Sequence, residues 1–255
     1  MAVLDKLNVV PTYIFKVPSS GEEIKFRPFL HKEEKVLQMA RETGDVKSFI
    51  RAVKDIIKAC SYDEFDVNTA ASFDIEEFFL RIREVSVGET VSLNLVCQNT
   101  VTKELKDGST KEEICRGSND IKMDLSKVKI DTSKLNKDKL IVKLSDEVSV
   151  ELMYPGIETL QIIGQMRHDD QTVDITDIIC SCVKSIFTDE EVYLAKELAK
   201  GELKNFINNL TSPQVEKMIE VVLDVPTIEY KVSEKCKKCG QKIELEFKGL
   251  YDFFE

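Results

Sequence analysis

FDIEEFFLRIREVSVGETVSLNLVC, residues 73–97, is where this chain changes its habit. Ile75, Phe78, Phe79 and Ile82 recur at helical spacing, and Asp74 sits where an acid complements the positive end of a helix. Glu76, Glu77, Arg81, Arg83 and Glu84 supply an opposite, charged face. Ser86-Val87-Gly88 stops the helix, because Gly88 accepts the backbone of a C-terminal cap without steric cost. Val91, Leu93 and Leu95 then alternate with Ser92, Asn94 and Val96, the pattern of a half-buried strand. A helical N-terminal region therefore joins a β-rich middle through one short joint.

Upstream, Tyr13–Val17 and Ile24–Pro28 read as strands around the turn residues Pro18 to Glu22, which makes a hairpin. A helix follows over Leu30–Glu42, with Val36, Leu37, Met39 and Ala40 on its apolar side. A second helix, Val46–Cys60, is capped by Asp45 and buries Phe49, Ile50, Val53, Ile56 and Ile57. Cys60 extends that face as a core thiol.

Downstream, Lys103–Glu113 carries Asp107-Gly108 and reads as a solvated hairpin tip. Short strands are expected at Ile121–Leu125, Leu140–Leu144 and Val148–Met153. Helices are expected over Ile157–Met166, Val173–Phe187, Glu190–Lys200, Glu202–Leu210 and Gln214–Leu223, the last opened by Thr211-Ser212-Pro213. Two strands, Thr227–Lys235 and Lys242–Phe247, flank Cys236-Lys237-Lys238-Cys239-Gly240. The fold class is α+β, in four segments: an N-terminal hairpin plus helical region (1–90), a small central antiparallel β region (91–155), a C-terminal helical bundle (156–225), and a β-hairpin with a CxxC knuckle and an aromatic tail (226–255).

Composition narrows the class of function. The 255 residues carry a formal net charge of −10, which disfavours direct nucleic-acid binding because phosphates are repelled outside a local basic patch. Apolar runs fall far below the ~18 residues of a membrane span, and the N-terminus lacks a secretory pattern. Seven cysteines at irregular spacing suit a reducing compartment rather than a disulfide scaffold.

The C-x-x-C-G at Cys236–Gly240 is the sharpest chemical signal. Two thiolates on a tight turn between strands suit one corner of a tetrahedral zinc site. Cys97 and Cys115, each at a strand end facing a polar hairpin tip, are candidates for the other two ligands. The competing reading is a reduced turn with two incidental thiols. Cys180 and Cys182 stand about 200° apart around a helix, so both read as packing residues. His31 and His168 read as solvated, as do Asp169 and Asp170. No phosphate-binding loop, nucleophile elbow, dinucleotide fingerprint or H-E-x-x-H occurs, and no carboxylate pair stands out for glycoside chemistry. Neither an enzymatic role nor a small-molecule substrate is expected. The tail residues Leu250, Tyr251, Phe253 and Phe254 have the aromatic mass of a docking segment; burial within the chain is the alternative.

Three blocks carry a resemblance: FRPFLHKEEKVLQMA (residues 26–40), FDIEEFFLRIREVSVGE (73–89) and CKKCGQKIELEFKGLYDFF (236–254). In this order the chain resembles the baseplate hub assembly proteins of T-even-like contractile-tailed phages. The resemblance implies a non-enzymatic hub or central-spike component, or a hub assembly factor. Its partners would be other baseplate and hub subunits, met in the host cytoplasm during assembly, with the finished tail baseplate as a further location. The alternative is a zinc-ribbon-type adaptor for host or phage transcription or replication machinery.

Overall fold

The computed structural model describes residues 10–104, 109–128, 130–132, 135, 137–157, 159 and 174–249. The fold is α+β. Strands β1 (Tyr13–Lys16) and β2 (Glu23–Phe26) form the expected N-terminal hairpin, with Tyr13 opposite Phe26. Helices α1 (His31–Glu42), α2 (Val46–Cys60) and α3 (Ser72–Val87) follow. The Asp45 carboxylate caps α2, accepting from the Ser48 amide at 2.9 Å and the Lys47 amide at 3.3 Å. Gly88, at φ 104°, ends α3. On α1 the buried apolar residues are Leu37 and Ala40, whereas Val36 and Met39 face outward, so the apolar side is narrower than expected.

Helix α3 is the centre of the largest apolar cluster. Phe73, Ile75, Phe78, Phe79, Leu80 and Ile82 are all fully buried. Phe78 stacks on Phe15 at a ring-centroid distance of 4.3 Å and meets Phe26 and Phe65 edge-on at 5.4 Å and 5.1 Å. The hairpin and the Phe65 loop thus converge on one ring. The charges expected to face solvent from α3 are instead enclosed. Asp74 accepts hydrogen bonds from the Ser19 amide at 3.0 Å and the Ser19 hydroxyl at 2.5 Å. Glu76 accepts from the Thr227 hydroxyl at 2.9 Å and the Ile228 amide at 3.2 Å. Arg81 pairs with Glu84 at 2.5 Å and donates to the carbonyls of Leu125 and Val128. Burying charged groups is costly unless they are paired, and these pairs tie three separate segments of the chain to one helix. Burial pushes the Asp74 carboxyl above its ordinary range, against the two Ser19 hydrogen bonds.

After Gly88 the chain runs out and back as one interrupted ribbon. Strand β3 (Thr90–Val96) pairs antiparallel with β6 (Ser118–Asp124), and β4 (Thr100–Glu104) with β5 (Thr110–Ile114). The middle is therefore not a single sheet. Strands β7 (Ile141–Lys143) and β8 (Ser149–Leu152) belong to a separate four-stranded sheet with β9 (Val183–Phe187) and β10 (Val192–Leu194), in the order β10-β9-β8-β7.

Two expected helices change accordingly. The stretch read as a helix over residues 173–187 is helix α4 (Ile175–Cys182) followed directly by β9, because Val183 to Phe187 pair with β8. Val192 to Leu194, read within a helix, pair with β9. Helices α5 (Glu202–Asn208) and α6 (Ser212–Leu223) cover this sheet, with Ile207, Met218 and Val222 buried beside Val150, Leu152, Ile179 and Cys182. Thr211 opens α6, its amide donating to the Gln214 side chain at 2.9 Å. Strands β11 (Glu229–Lys235) and β12 (Lys242–Lys248) form the C-terminal hairpin. No helix among the described residues is long and apolar enough to cross a membrane. The expected helix at 157–166, His168, Asp169, Asp170, Asp107-Gly108 and the tail Leu250 to Phe254 lie outside the residues described.

Candidate metal centre

The cysteine centre begins with two interruptions in otherwise regular antiparallel pairing. In the ribbon β3-β4/β5-β6 the break falls at 97–99 and 115–117. There the Cys97 amide donates to the Gly117 carbonyl at 2.8 Å, the Arg116 amide to the Cys97 carbonyl at 2.9 Å, and the Cys115 amide to the Asn99 carbonyl at 2.9 Å. Arg116 takes φ 49°, a left-handed bend that an L-residue adopts at some cost. In the β11–β12 hairpin the turn closes with the Cys236 amide on the Gln241 carbonyl at 2.8 Å and the Gly240 amide on the Cys236 carbonyl at 2.9 Å. Gly240 has φ 73°, the conformation its lack of a side chain permits.

These two joints meet. Cys97, Cys115 and Cys236 are buried and Cys239 is half-buried, and the four sulfurs all lie within 4.8 Å of one another. Cys97 Sγ is 3.8 Å from Cys239 Sγ, and Cys115 Sγ is 3.7 Å from Cys236 Sγ. The four cysteines singled out in the sequence are therefore brought to one point from segments 121 and 142 residues apart.

The surrounding hydrogen bonds stitch the two joints together. The Lys237 amide donates to Asn119 Oδ1 at 2.8 Å, and Lys238 Nζ donates to the Cys115 carbonyl at 2.6 Å. Asn99 Nδ2 donates to the Lys242 carbonyl at 3.0 Å. Asn119 Nδ2 donates to the Gly117 carbonyl at 2.9 Å and approaches Cys236 Sγ at 3.7 Å. At Gly117 the hairpins leave no room for a side chain: an added Cβ would stand 2.7 Å from the Lys238 Cβ and 3.0 Å from Cys236 Sγ. Gly117, Asn119 and Lys238 escaped the sequence reading. Only the C-R-G at 115–117, a glycine two residues after a thiol, hinted at the first.

As free thiols, Cys97, Cys115 and Cys236 are unequal. Backbone amides of Cys239 and Lys238, aimed at Cys236, bring its thiol down to about 6 despite burial. Burial, with the crowding of the other sulfurs, pushes Cys97 up to about 12 and raises Cys115. Four sulfurs in a shared shell with amide donors can hold one thiophilic cation or stay as a packed thiol cluster.

The other thiols lie elsewhere. Cys60 is buried beside Arg27, and burial drives its thiol up to about 12. Cys182 packs in the second apolar cluster with Cys180 at its edge. His31 is exposed, 3.3 Å from Glu34.

Comparison with known proteins gives the chain its context. Over 109 residues it is 26% identical to the baseplate hub assembly protein gp26 of Enterobacteria phage T4, a match that covers 43% of this chain and 46% of that relative. The match thus spans less than half of the relative's length. No solved structure matches. The family model described as T4 bacteriophage base plate protein matches residues 10–255, nearly the whole chain, and the protein belongs to that family.

Proposed function

We propose that this baseplate-family chain works at the central hub, as a hub or spike component or as a factor that assembles it, and that it does so by gripping other baseplate subunits rather than by making or breaking bonds. The observation that carries this reading is the family match across residues 10–255, joined to a relative whose printed name is a hub assembly protein. The net charge of −10 supports protein rather than nucleic-acid partners. Assembly in the host cytoplasm, with a place in the tail baseplate, follows from the same reading. The tail residues Leu250, Tyr251, Phe253 and Phe254 are its proposed anchors, since aromatic side chains supply much of the energy of protein interfaces.

Affinity capture from infected cells tests the reading, using the full chain and a version lacking residues 250–255. The full chain should recover hub subunits, and the shortened one should recover fewer while melting at the same temperature. Recovery of host proteins alone would contradict the hub assignment. Equal recovery by both forms would contradict the role of the tail.

A further inference from the structure

We infer that Cys97, Cys115, Cys236 and Cys239 bind a single structural zinc ion, which clasps the C-terminal hairpin to the far end of the β3–β6 ribbon. The first ground is distance. A Zn–S bond of about 2.3 Å sets the edges of a tetrahedron of sulfurs at about 3.8 Å. Two of the edges are 3.7 Å and 3.8 Å, and all four sulfurs lie within 4.8 Å of one another. Both of these edges run from one hairpin to the other, so sulfurs of both joints come within reach of one ion.

The second ground is the built shell. The Lys238 amide lies 3.4 Å from Cys236 Sγ, and Asn119 links the knuckle to the ribbon through both ends of its amide. Such outer partners fix the orientation of ligands. Four thiolates around Zn2+ leave a net charge of about −2. Lys238, its Nζ on the Cys115 carbonyl, is placed to offset part of it. The bare Cα of Gly117 leaves room that any side chain would fill.

The third ground is energetic. Strand β5 is exposed along its whole length, and among the described residues the apolar cluster around the cysteines adds only Ile243 with the partly buried Val101. A two-stranded ribbon is marginal in water on its own. Two such ribbons meeting over so small a core need a cross-link, and a metal is the usual substitute for a missing core. Four protein ligands complete the coordination of zinc, so the site is structural and leaves no position open for a substrate. Soft thiolate sets of this geometry select zinc or iron; zinc, which has no redox chemistry, suits a clasp. The inference rests on the cysteine centre and its surroundings and stands apart from the baseplate reading.

Elemental analysis of the full-length chain, purified without a metal-affinity step, tests it. About one zinc per chain is expected. Cys97→Ser and Cys239→Ser should each lose the zinc, while Cys60→Ser and Cys180→Ser keep it. Should the ligand variants fail to fold, the unmodified chain still decides. After removal of its metal and addition of Co2+ it should show the intense charge-transfer and visible bands of tetrahedral cobalt thiolate. A chain that carries no zinc and gives no such bands overturns the inference. Iron in place of zinc, or full zinc retention in both ligand variants, overturns it equally.

Discussion

Asp174 caps α4 and holds Lys204 of α5. Its carboxylate accepts from the Thr176 amide at 2.9 Å, and Lys204 Nζ stands 2.9 Å from Asp174 and 2.7 Å from Asp177. The Lys204 ammonium, followed by the Thr176 hydrogen bonds, lowers the Asp174 carboxyl to about 2. A depressed carboxyl stabilises the fold above the unfolded value of about 3.9, and that contribution is lost as pH falls through the folded value. NMR titration should therefore place the Asp174 midpoint near 2, and Lys204→Met should return it toward the ordinary range. A midpoint unmoved by the substitution would contradict this cause. At the same scale, the cysteine centre was legible where its signal was local: C-x-x-C-G fixes its own turn, and strand-end positions nominated Cys97 and Cys115. The enclosure of Glu76 and Arg81 was not legible, because their partners at 227–228 and 125–128 are remote in sequence. One sign was available. Leu80 stands about 160° around the helix from Ile82, so apolar residues do not share one face, as expected of a helix buried on all sides.

At the scale of elements, α3 holds the hairpin and the Phe65 loop together through Phe78. Phe78→Ala removes a ring packed against Phe15, Phe26 and Phe65, with no solvent to fill the space. A loss of about 3–5 kcal/mol is expected from chemical denaturation. A loss under about 1 kcal/mol would mean that the site collapses around the gap and that the ring is not central. The elements that were misread share one physical cause. Ile179, Cys182, Val183 and Ile186 fit helical spacing, yet the last two lie in β9. The strand wins because pairing with β8 places Ser185 opposite Glu151, whose carboxylate takes the Ser185 hydroxyl at 2.9 Å and Lys184 Nζ at 2.7 Å. A short apolar run carries no record of the strand waiting for it. By contrast α2, capped by Asp45 and amphipathic along its length, needed no remote partner to be read.

At the scale of the molecule, the buried apolar clusters among the described residues are three. One surrounds α3, one lies between the four-stranded sheet and α4–α6, and the smallest is the cysteine centre. The α+β class was visible in the switch of period near Gly88, whereas the split of the middle strands between separate sheets depends on pairing across long separations. What the family match adds is a setting, the phage baseplate. Infection with a phage whose copy of this gene carries a stop codon tests that setting most directly, with baseplates followed by sedimentation and electron microscopy. The account predicts intermediates without a completed hub, rescued when the purified chain is added to the extract. Normal yields of complete, infectious tails without the chain would contradict it.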